Sequence, residues 1–421
     1  MKTITLGIFG GGTVGGGVVE ILSQQKAVFE AQGICIEIKK LCVRDTGKKR
    51  DFQLPEETIV VSDFSKILED EEIDLVVECI GGTTKAKDIV FESIKKGKSV
   101  VTANKALISA YLSELEALLA QYPKAGFGFE ASVGGGIPII HTLARDLVGD
   151  PIQKISGILN GTTNFILSKM EKEGADYAKT LKEAQDLGYA ESDPTADIEG
   201  YDARSKIAIL AKVAFGVVVE ESSIFMKGIS QITKEDFAYA DLLGGTIKLL
   251  VVAEKKGNSF SIYVSPMIVP YSHNLAPIGG ATNAVLIGSK YLSETVLVGQ
   301  GAGRFPTANA IVSDILLIAH GVDVAAFSKK ESLVKDDNIE GKFYIRMRIK
   351  DGLGIVRRVA ECCEKAGVSI DSVQQLPIEN PNDVPFVVTT DKTTLSAIEK
   401  VCEEVGRETF CLEKPFFMPI L

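Results

Sequence analysis

The chain opens with alternation. Residues 3–9 (TITLGIF) place an apolar side chain at every second position, the period of a half-buried strand, then give way to clustered glycines and the helical spacing of VVEILSQQ. Strand-like runs recur at 36–43 (IEIKKLCV), at 73–82 (IDLVVECIGG), in KSVVTANKAL and in FGFEAS, with helical patterns near 88–96 and 111–122 between them. The run at 73–82 is mostly apolar and bounded by turn residues, as a strand covered on both faces of a parallel sheet should be. Strands alternating with helices predict an α/β domain over 1–130.

Beyond that the pattern changes. Residues 131–298 mix strand-like KISGILNG and SIYVSPMIVP with helical TTNFILSKMEKEG, YAKTLKEAQDLG and 202–215, an α+β unit inserted after the first domain. Glycines again precede a helix in 299–319 (GQGAGRFPTANAIVSDILLIA), so the chain is expected to return to the first domain over about 299–325. The polar stretch 326–341 reads as a linker. After it, 342–421 follow the order βαββαβ: strand FYIRMRI, helix IVRRVAECCEKAG, strands VSIDSVQQLP and PFVVTTD, helix TLSAIEKVCEEVG and strand ETFCLEK. A tail with its own core predicts that truncation near residue 338 leaves a folded, active protein.

Composition narrows the class. With 45% hydrophobic and 24% charged residues in 421, the chain is long enough for several packed domains, and no apolar run is long enough to span a membrane. The N-terminus lacks the basic head and apolar helical run of a secretory signal, so a cytoplasmic location is expected. Seven scattered cysteines without C-x-x-C spacing read as reduced thiols. A net charge of -10 argues against a nucleic-acid partner, because that binding needs Lys and Arg to neutralise phosphates.

Candidate chemistry begins at Gly10-Gly11-Gly12-Thr13-Val14-Gly15, a G-x-G-x-x-G between strand and helix. Gly10 suits the tight turn, Gly12 close backbone approach to a pyrophosphate, and Gly15 close packing of helix on strand. This is a Rossmann-type dinucleotide site. Where the second strand ends, NAD sites prefer a carboxylate for the ribose 2′-hydroxyl, whereas an arginine suits a 2′-phosphate. Arg44 takes that place and Asp45 follows, which favours NADP while leaving NAD possible. Cys79 and the glycines after it would lie over the cofactor, Thr102 and Lys105 stand at a strand's carboxyl end, and Gly301 marks the return toward the cofactor. For Lys105, cofactor or substrate contact competes with an ordinary surface role. The loop 133–140 (VGGGIPII) is either a hinge or a ligand cradle.

The most unusual stretch is 188–206, GYAESDPTADIEGYDARSK. With Asp186 just upstream, six acids crowd a loop that runs into an apolar helix carrying a lysine. Asp202 and Lys206 lie four apart and share one helix face, either as a proton-handling pair or as a surface brace.

Taken together, GGGTVGGGV, VVTANKAL, FEASVGGGIPII, ILNGTTNFIL, LGYAESDPTADIEGYDARSK and GAGRFPTANAIVSD resemble homoserine dehydrogenases, over essentially the whole chain. The resemblance implies reversible NAD(P)-dependent interconversion of L-homoserine and L-aspartate 4-semialdehyde. It implies Lys206 as proton donor and acceptor and Lys105 facing the reacting centre. Glu191, Asp197 and Asp202, with Thr162, would bind the amino acid or orient water. It also implies a structural sodium ion held by Glu130, Val133, Gly135 and Ile137, and a homodimer or homotetramer. The tail resembles an ACT domain, which implies threonine as an effector, although its turn, Asp351-Gly352-Leu353-Gly354, lacks a proline common before the last glycine. Two readings compete with the enzyme: a non-catalytic amino-acid sensor and a dehydrogenase acting at the α-carbon.

Overall fold

The structure, a computed structural model, describes residues 1–322, 327, 331–378 and 380–421. The chain begins β1 (Lys2–Phe9), α1 (Thr13–Gln24), α2 (Lys26–Ala31), β2 (Ile34–Cys42), β3 (Ile59–Val61), α3 (Ser65–Leu68), β4 (Leu75–Glu78), α4 (Lys85–Lys95) and β5 (Ser99–Thr102). It continues α5 (Lys105–Gln121), β6 (Phe127–Gly128), α6 (Ile139–His141), β7 (Ile152–Ile158), α7 (Gly161–Glu173), α8 (Tyr177–Asp186), α9 (Thr195–Ile198) and α10 (Tyr201–Phe215). Then come β8 (Phe225–Met226), α11 (Lys234–Leu242), β9 (Gly245–Lys256), β10 (Ser259–Pro270), β11 (Thr282–Ser289), β12 (Ser293–Gln300), α12 (Arg304–Ala319) and β13 (Val334–Lys335). The tail comprises β14 (Glu340–Ile349), α13 (Ile355–Ala366), β15 (Ile370–Gln375), β16 (Val384–Thr390), β17 (Thr393–Thr394), α14 (Leu395–Gly406) and β18 (Phe416–Ile420). No described helix is long and apolar enough to cross a membrane.

These elements form two compact units, one of Met1–Gln153, Ser205–Ser223 and Asn283–Ser332, the other of Lys154–Arg204, Ile224–Thr282 and Leu333–Leu421.

The first unit is built on a parallel sheet of order β3-β2-β1-β4-β5-β6. Leu6, Ile8, Val76, Val77, Val100 and Val101 are fully buried in it, which explains why its central strands read as apolar runs. The order reverses direction on either side of β1, and such a switch point opens a crevice beyond the strands' carboxyl ends. Helix α12 joins the same core: Ala308, Ile311 and Ile315 cluster with Ile4, Leu6, Val18 and Val19. A methyl group on Gly17 would come within 3.0 Å of Ala308 Cβ, so α1 and α12 meet at a separation that only glycine allows. β11 and β12 are neighbouring strands of this unit.

The second unit centres on the antiparallel pair β9 and β10, in register from Gly245 opposite Pro270 to Lys256 opposite Ser259. β7 flanks β9, and α7 and α11 pack against it. On the other side the sheet continues from β10 through β18, β14, β16 and β15, with β8 and β13 also pairing with β10 and β17 with β14.

The tail has the βαββαβ order read from the sequence, with one correction. Its last strand is β18 and not ETFCLEK, of which Cys411 forms an isolated bridge to Ile349. The alternating stretch was the weaker candidate because β18 is covered on both sides and needs a continuous apolar run, FFMPI, to satisfy that position.

The tail is also less separable than its composition implies. β18 runs between β14 and β10, with Ile420 opposite Ile268, and β13 pairs with the start of β10. Buried Asp236 on α11 accepts from Tyr344 Oη at 2.7 Å and pairs with the Arg346 guanidinium, both on β14. The Tyr239 hydroxyl donates to the Pro385 carbonyl and accepts from the Leu376 amide. Of the segments expected to complete the first domain and to link the tail, residues 323–326 and 328–330 lie outside the described residues.

Lys227 provides a further tie. Its ammonium donates to the Phe417 carbonyl at 2.7 Å and lies over the Phe417 ring. Burial lowers its pKa from 10.5 to about 7, with Cys402 and Glu399 opposing the shift and Lys414 adding to it. Between those values the unfolded chain holds a proton that the folded one has lost, so this group's contribution to stability rises with pH across that window. Urea midpoints should therefore climb less between pH 7 and pH 9 in Lys227→Met than in the parent; equal climbs would refute it.

Candidate active site

The dinucleotide loop follows from backbone constraint. Gly10 adopts φ +101°, and a Cβ there would meet the Cys79 carbonyl oxygen at 2.6 Å. At Gly15 a Cβ would lie 2.0 Å from the Gly10 carbonyl oxygen. Gly12, the N-cap of α1, has nothing within 4 Å of its would-be Cβ. Two glycines thus close the turn, and the third leaves open the approach to the helix N-terminus, where amides and dipole favour an anion. The absent side chains leave the space that a pyrophosphate takes, so the loop fits a dinucleotide.

This loop borders a cavity of about 1010 Å³ lined by Gly10 to Thr13, Arg44, Asp45, Lys48 to Asp51, and Ile80 to Gly82. Arg44 is exposed on its wall. Arg50 donates to the carbonyls of Lys48 and Asp45, which fixes the basic loop, and its Nε lies 3.2 Å from the would-be Cβ of Gly11. Cys79 supports the turn from behind through its carbonyl beside Gly10, and burial pushes its thiol far up. Val14 is half-buried on α1.

Thr102 and Lys105 part company. Thr102 is fully buried, its hydroxyl donating to Glu78 at 2.6 Å, while the other Glu78 oxygen accepts from the amides of Ile80 and Gly81. Lys105 is half-buried at the first position of α5. Asn104 caps that helix by accepting from the Leu107 amide, and its own amide donates to the Gly82 carbonyl at 2.7 Å. Glu78 and Asn104 thereby shape the glycine wall of the cavity. Asn104 stands with Thr102 and Lys105 at the strand's carboxyl end, where the sequence places a ligand, whereas Glu78 was not singled out from sequence, although a carboxylate inside VVE was a visible signal.

The FEASVGGGIPII segment is a short strand followed by a 3-10 turn at Glu130–Ser132. Glu130 is 2% exposed, its carboxylate accepting from the amides of Ile140 and His141 and facing His141 Nδ1 at 3.1 Å. Burial raises its pKa to about 7 against the opposing pull of His141 and those amides. Burial disfavours a charged His141, but the Asp314 hydrogen bond at 2.7 Å and both carboxylates outweigh it and raise its pKa. Gly134 and Gly135 take positive φ, which turns the segment carrying Val133, Gly135 and Ile137. A Cβ on Gly135 would strike the Gly301 backbone at 2.5 Å, so Gly301 abuts this loop. Among the described residues no cluster of three or more His, Cys, Asp or Glu has the make-up of a metal site.

In the second unit the structure sorts the crowded acids of 186–202. Asp186 pairs with Lys182, Asp193 caps the Thr195 amide at 3.1 Å, and Glu199 lies against Gly228. Two converge: Asn160 Nδ2 donates to Asp197 at 2.7 Å and to Asp202 at 2.9 Å. Asn160 is buried as the N-cap of α7, its Oδ1 accepting from the Thr163 amide at 2.9 Å, so the cap orients the amide toward the two carboxylates. Thr162 donates to the Tyr189 carbonyl at 2.7 Å, and Phe165 stacks on Tyr189, holding the loop that presents Glu191, whose side chain is exposed. Asn160 is the residue that sequence reasoning missed, although ILNGTTNFIL contains it at a strand end with a helix start. Helix α10 carries Asp202 and then Lys206 one turn on, 9% and 8% exposed.

Residues 10–127 match the family model described as "Homoserine dehydrogenase, NAD binding domain", and residues 138–316 match "Homoserine dehydrogenase". The chain is 38% identical to a homoserine dehydrogenase of Bacillus subtilis over 407 residues, covering 94% of this chain and 93% of that one. It is 37% identical to one from Neisseria gonorrhoeae, covering 99% and 98%. A crystal structure of a homoserine dehydrogenase from Thiobacillus denitrificans superposes with a TM-score of 0.91 at 34% identity, covering 100% and 99%. A hyperthermophilic archaeal homoserine dehydrogenase in complex with NADPH gives 0.63 at 28% identity, covering 76% and 98%. Neither a non-catalytic sensor nor an α-carbon dehydrogenase finds support here, and the chain belongs to the homoserine dehydrogenase family, NAD(P)-dependent oxidoreductases that interconvert L-homoserine and L-aspartate 4-semialdehyde.

Proposed function

We propose that this enzyme works with NADP in preference to NAD, that Asp197, Asp202 and Glu191 receive the amino-acid ammonium or order water beside it, and that Lys206 handles the proton. The observation that carries the substrate assignment is the single Asn160 amide shared by Asp197 and Asp202. Two carboxylates held at one donor repel each other, and a bound ammonium relieves that repulsion through charge-assisted hydrogen bonds.

When bound, the nicotinamide supplies or accepts the hydride. Hydride addition to the aldehyde carbon leaves an alkoxide, to which Lys206 gives its proton; in the oxidative direction Lys206 takes the hydroxyl proton as the hydride departs. Lys105, fixed at the start of α5, is the second ammonium assigned to the reacting oxygen. Thr162 holds the loop that carries Glu191. The pyrophosphate would be held by Gly10, Gly12, Thr13, Val14 and Gly15, with Cys79, Thr102 and Gly301 shaping the surrounding backbone.

Support for NADP comes from the basic residues Arg44, Lys48, Lys49, Arg50 and Lys85, which line the cavity against two acids, Asp45 and Asp51, the latter paired with Arg304. Arg44→Ala should weaken NADP by about 1.5 to 3 kcal/mol, the usual worth of a hydrogen bond to a charged group, and NAD by much less. Equal losses, read by nicotinamide fluorescence titration, would remove Arg44 from the cofactor site. Glu191→Ala should raise KM for homoserine with little change in cofactor affinity; steady-state kinetics with each substrate varied decides this, and a loss confined to cofactor would reverse the assignment.

Glu130 with the carbonyls of Val133, Gly135 and Ile137 is the proposed seat of a structural Na+, in keeping with an all-oxygen donor set. The βαββαβ tail is the proposed ACT-type effector domain, with threonine as ligand, and the assembly is proposed to be a homodimer or homotetramer.

A further inference from the structure

The second unit contains a cavity whose lining includes none of the acids of 186–202. It measures about 400 Å³ and lies among β9, α7 and the loop after β10. Lys248, from β9, lines it while being 2% exposed. Among the described residues its ammonium makes no hydrogen bond or ion pair. Thr246, two residues earlier on the same face of β9, has a buried hydroxyl that is likewise without a partner.

A lysine with so deeply buried a side chain is costly to keep charged without a partner, and native chains rarely carry one unless something pairs with it. The cavity's other polar walls are of both signs. Lys172 and Glu171 come from α7, Ser168 from the same helix, and Tyr271 from the loop. Both α7 charges act on Lys248, the carboxylate of Glu171 favouring its charged form and Lys172 opposing it, while burial outweighs both and lowers its pKa. The walls are fixed. Ser168 accepts from the Gly280 amide at 3.2 Å, Asn164 on α7 donates to the carbonyls of Ile278 and Thr282, and Tyr271 donates to Asp241 at 2.8 Å. A Cβ on Gly279 would lie 4.0 Å from the Lys172 ammonium, so the loop reaches the cationic wall.

Two ammonium groups suit an anion, and a carboxylate beside them suits a cation. We propose that this cavity is a binding site for a small zwitterion of the α-amino-acid class, its carboxylate held by Lys248 and Lys172 and its ammonium by Glu171. A simple dianion would be repelled by Glu171, and a simple cation by the lysines. The volume admits a small amino acid together with ordered water, each water occupying about 30 Å³.

Calorimetric titration of the full-length, NADP-loaded protein with L-alanine, acetate and methylammonium tests the site. L-alanine should bind saturably and more tightly than either half-molecule. Lys248→Met should weaken L-alanine by tenfold or more while kcat and KM for homoserine stay at parental values. Glu171→Gln should weaken L-alanine several-fold but leave acetate unchanged or slightly tighter. Should Lys248→Met fail to fold, Lys172→Gln, at an exposed position, takes its place with the same expected loss. L-alanine affinity unmoved by the Lys248 and Lys172 substitutions, no saturable L-alanine binding, or acetate binding as tightly as L-alanine would each overturn the proposal.

Discussion

Lys206→Ala should lower turnover by about 10² or more, the scale of general acid-base groups, while the affinity for nicotinamide cofactor barely moves. The reasoning starts from the reaction, in which the oxygen gains or loses a proton as the carbon gains or loses hydride. A group that serves both directions must be an acid in one protonation state and a base in the other, and lysine meets that need. Lys206 is nearly buried on the apolar helix α10, one turn from Asp202. That helix is anchored within the first unit, with Lys212 facing Glu116 at 3.1 Å and Ser205 donating to Glu221 at 2.9 Å, so the substitution should remove the ammonium without moving its carrier. Stopped-flow and steady-state rates with homoserine, beside a cofactor titration, give the answer. Near-normal turnover would transfer the proton to Lys105 or to a carboxylate-held water, and the stretch 188–206 would lose its place as the catalytic centre.

Removing residues 338–421 should abolish soluble, cooperative folding of the second unit, the opposite of what the polar stretch before the tail suggests. When β18 is gone the end of β10 around Ile268 loses its partner, and an unpaired strand edge beside newly exposed aromatic groups promotes aggregation. Tyr239, fully buried, loses both hydrogen-bond partners, and Lys227 loses the Phe417 carbonyl and ring. A point substitution measures one tie in the intact chain. Arg346→Ala strands the Asp236 carboxylate in the interior, a loss on the order of 3–5 kcal/mol against a total stability of about 5–15 kcal/mol. Solubility, circular dichroism and a urea transition of the truncated chain decide the matter; a soluble, cooperatively unfolding, active product would show that the tail folds apart from the rest.

Elements whose causes are local were legible in the amino-acid order. The turn at Gly10, the open position at Gly12 and the close packing at Gly15 follow from the size of one residue, and a glycine pattern between strand and helix states them directly. Apolar runs identified β4 and β5, and helical spacing placed Asp202 and Lys206 one turn apart. The features that were not legible depend on partners distant in the chain. Six acids look alike along 186–202, yet only Asp197 and Asp202 meet at Asn160, because that choice is made by a helix cap some forty residues upstream. The last strand fell on FFMPI because β10 and β14 flank it, and no short-range pattern records a neighbour contributed from the middle of the chain. The bond between tail and body was hidden for the same reason: a polar connection describes how a segment meets water, whereas strand pairing and the buried Asp236–Arg346 pair describe how it meets protein.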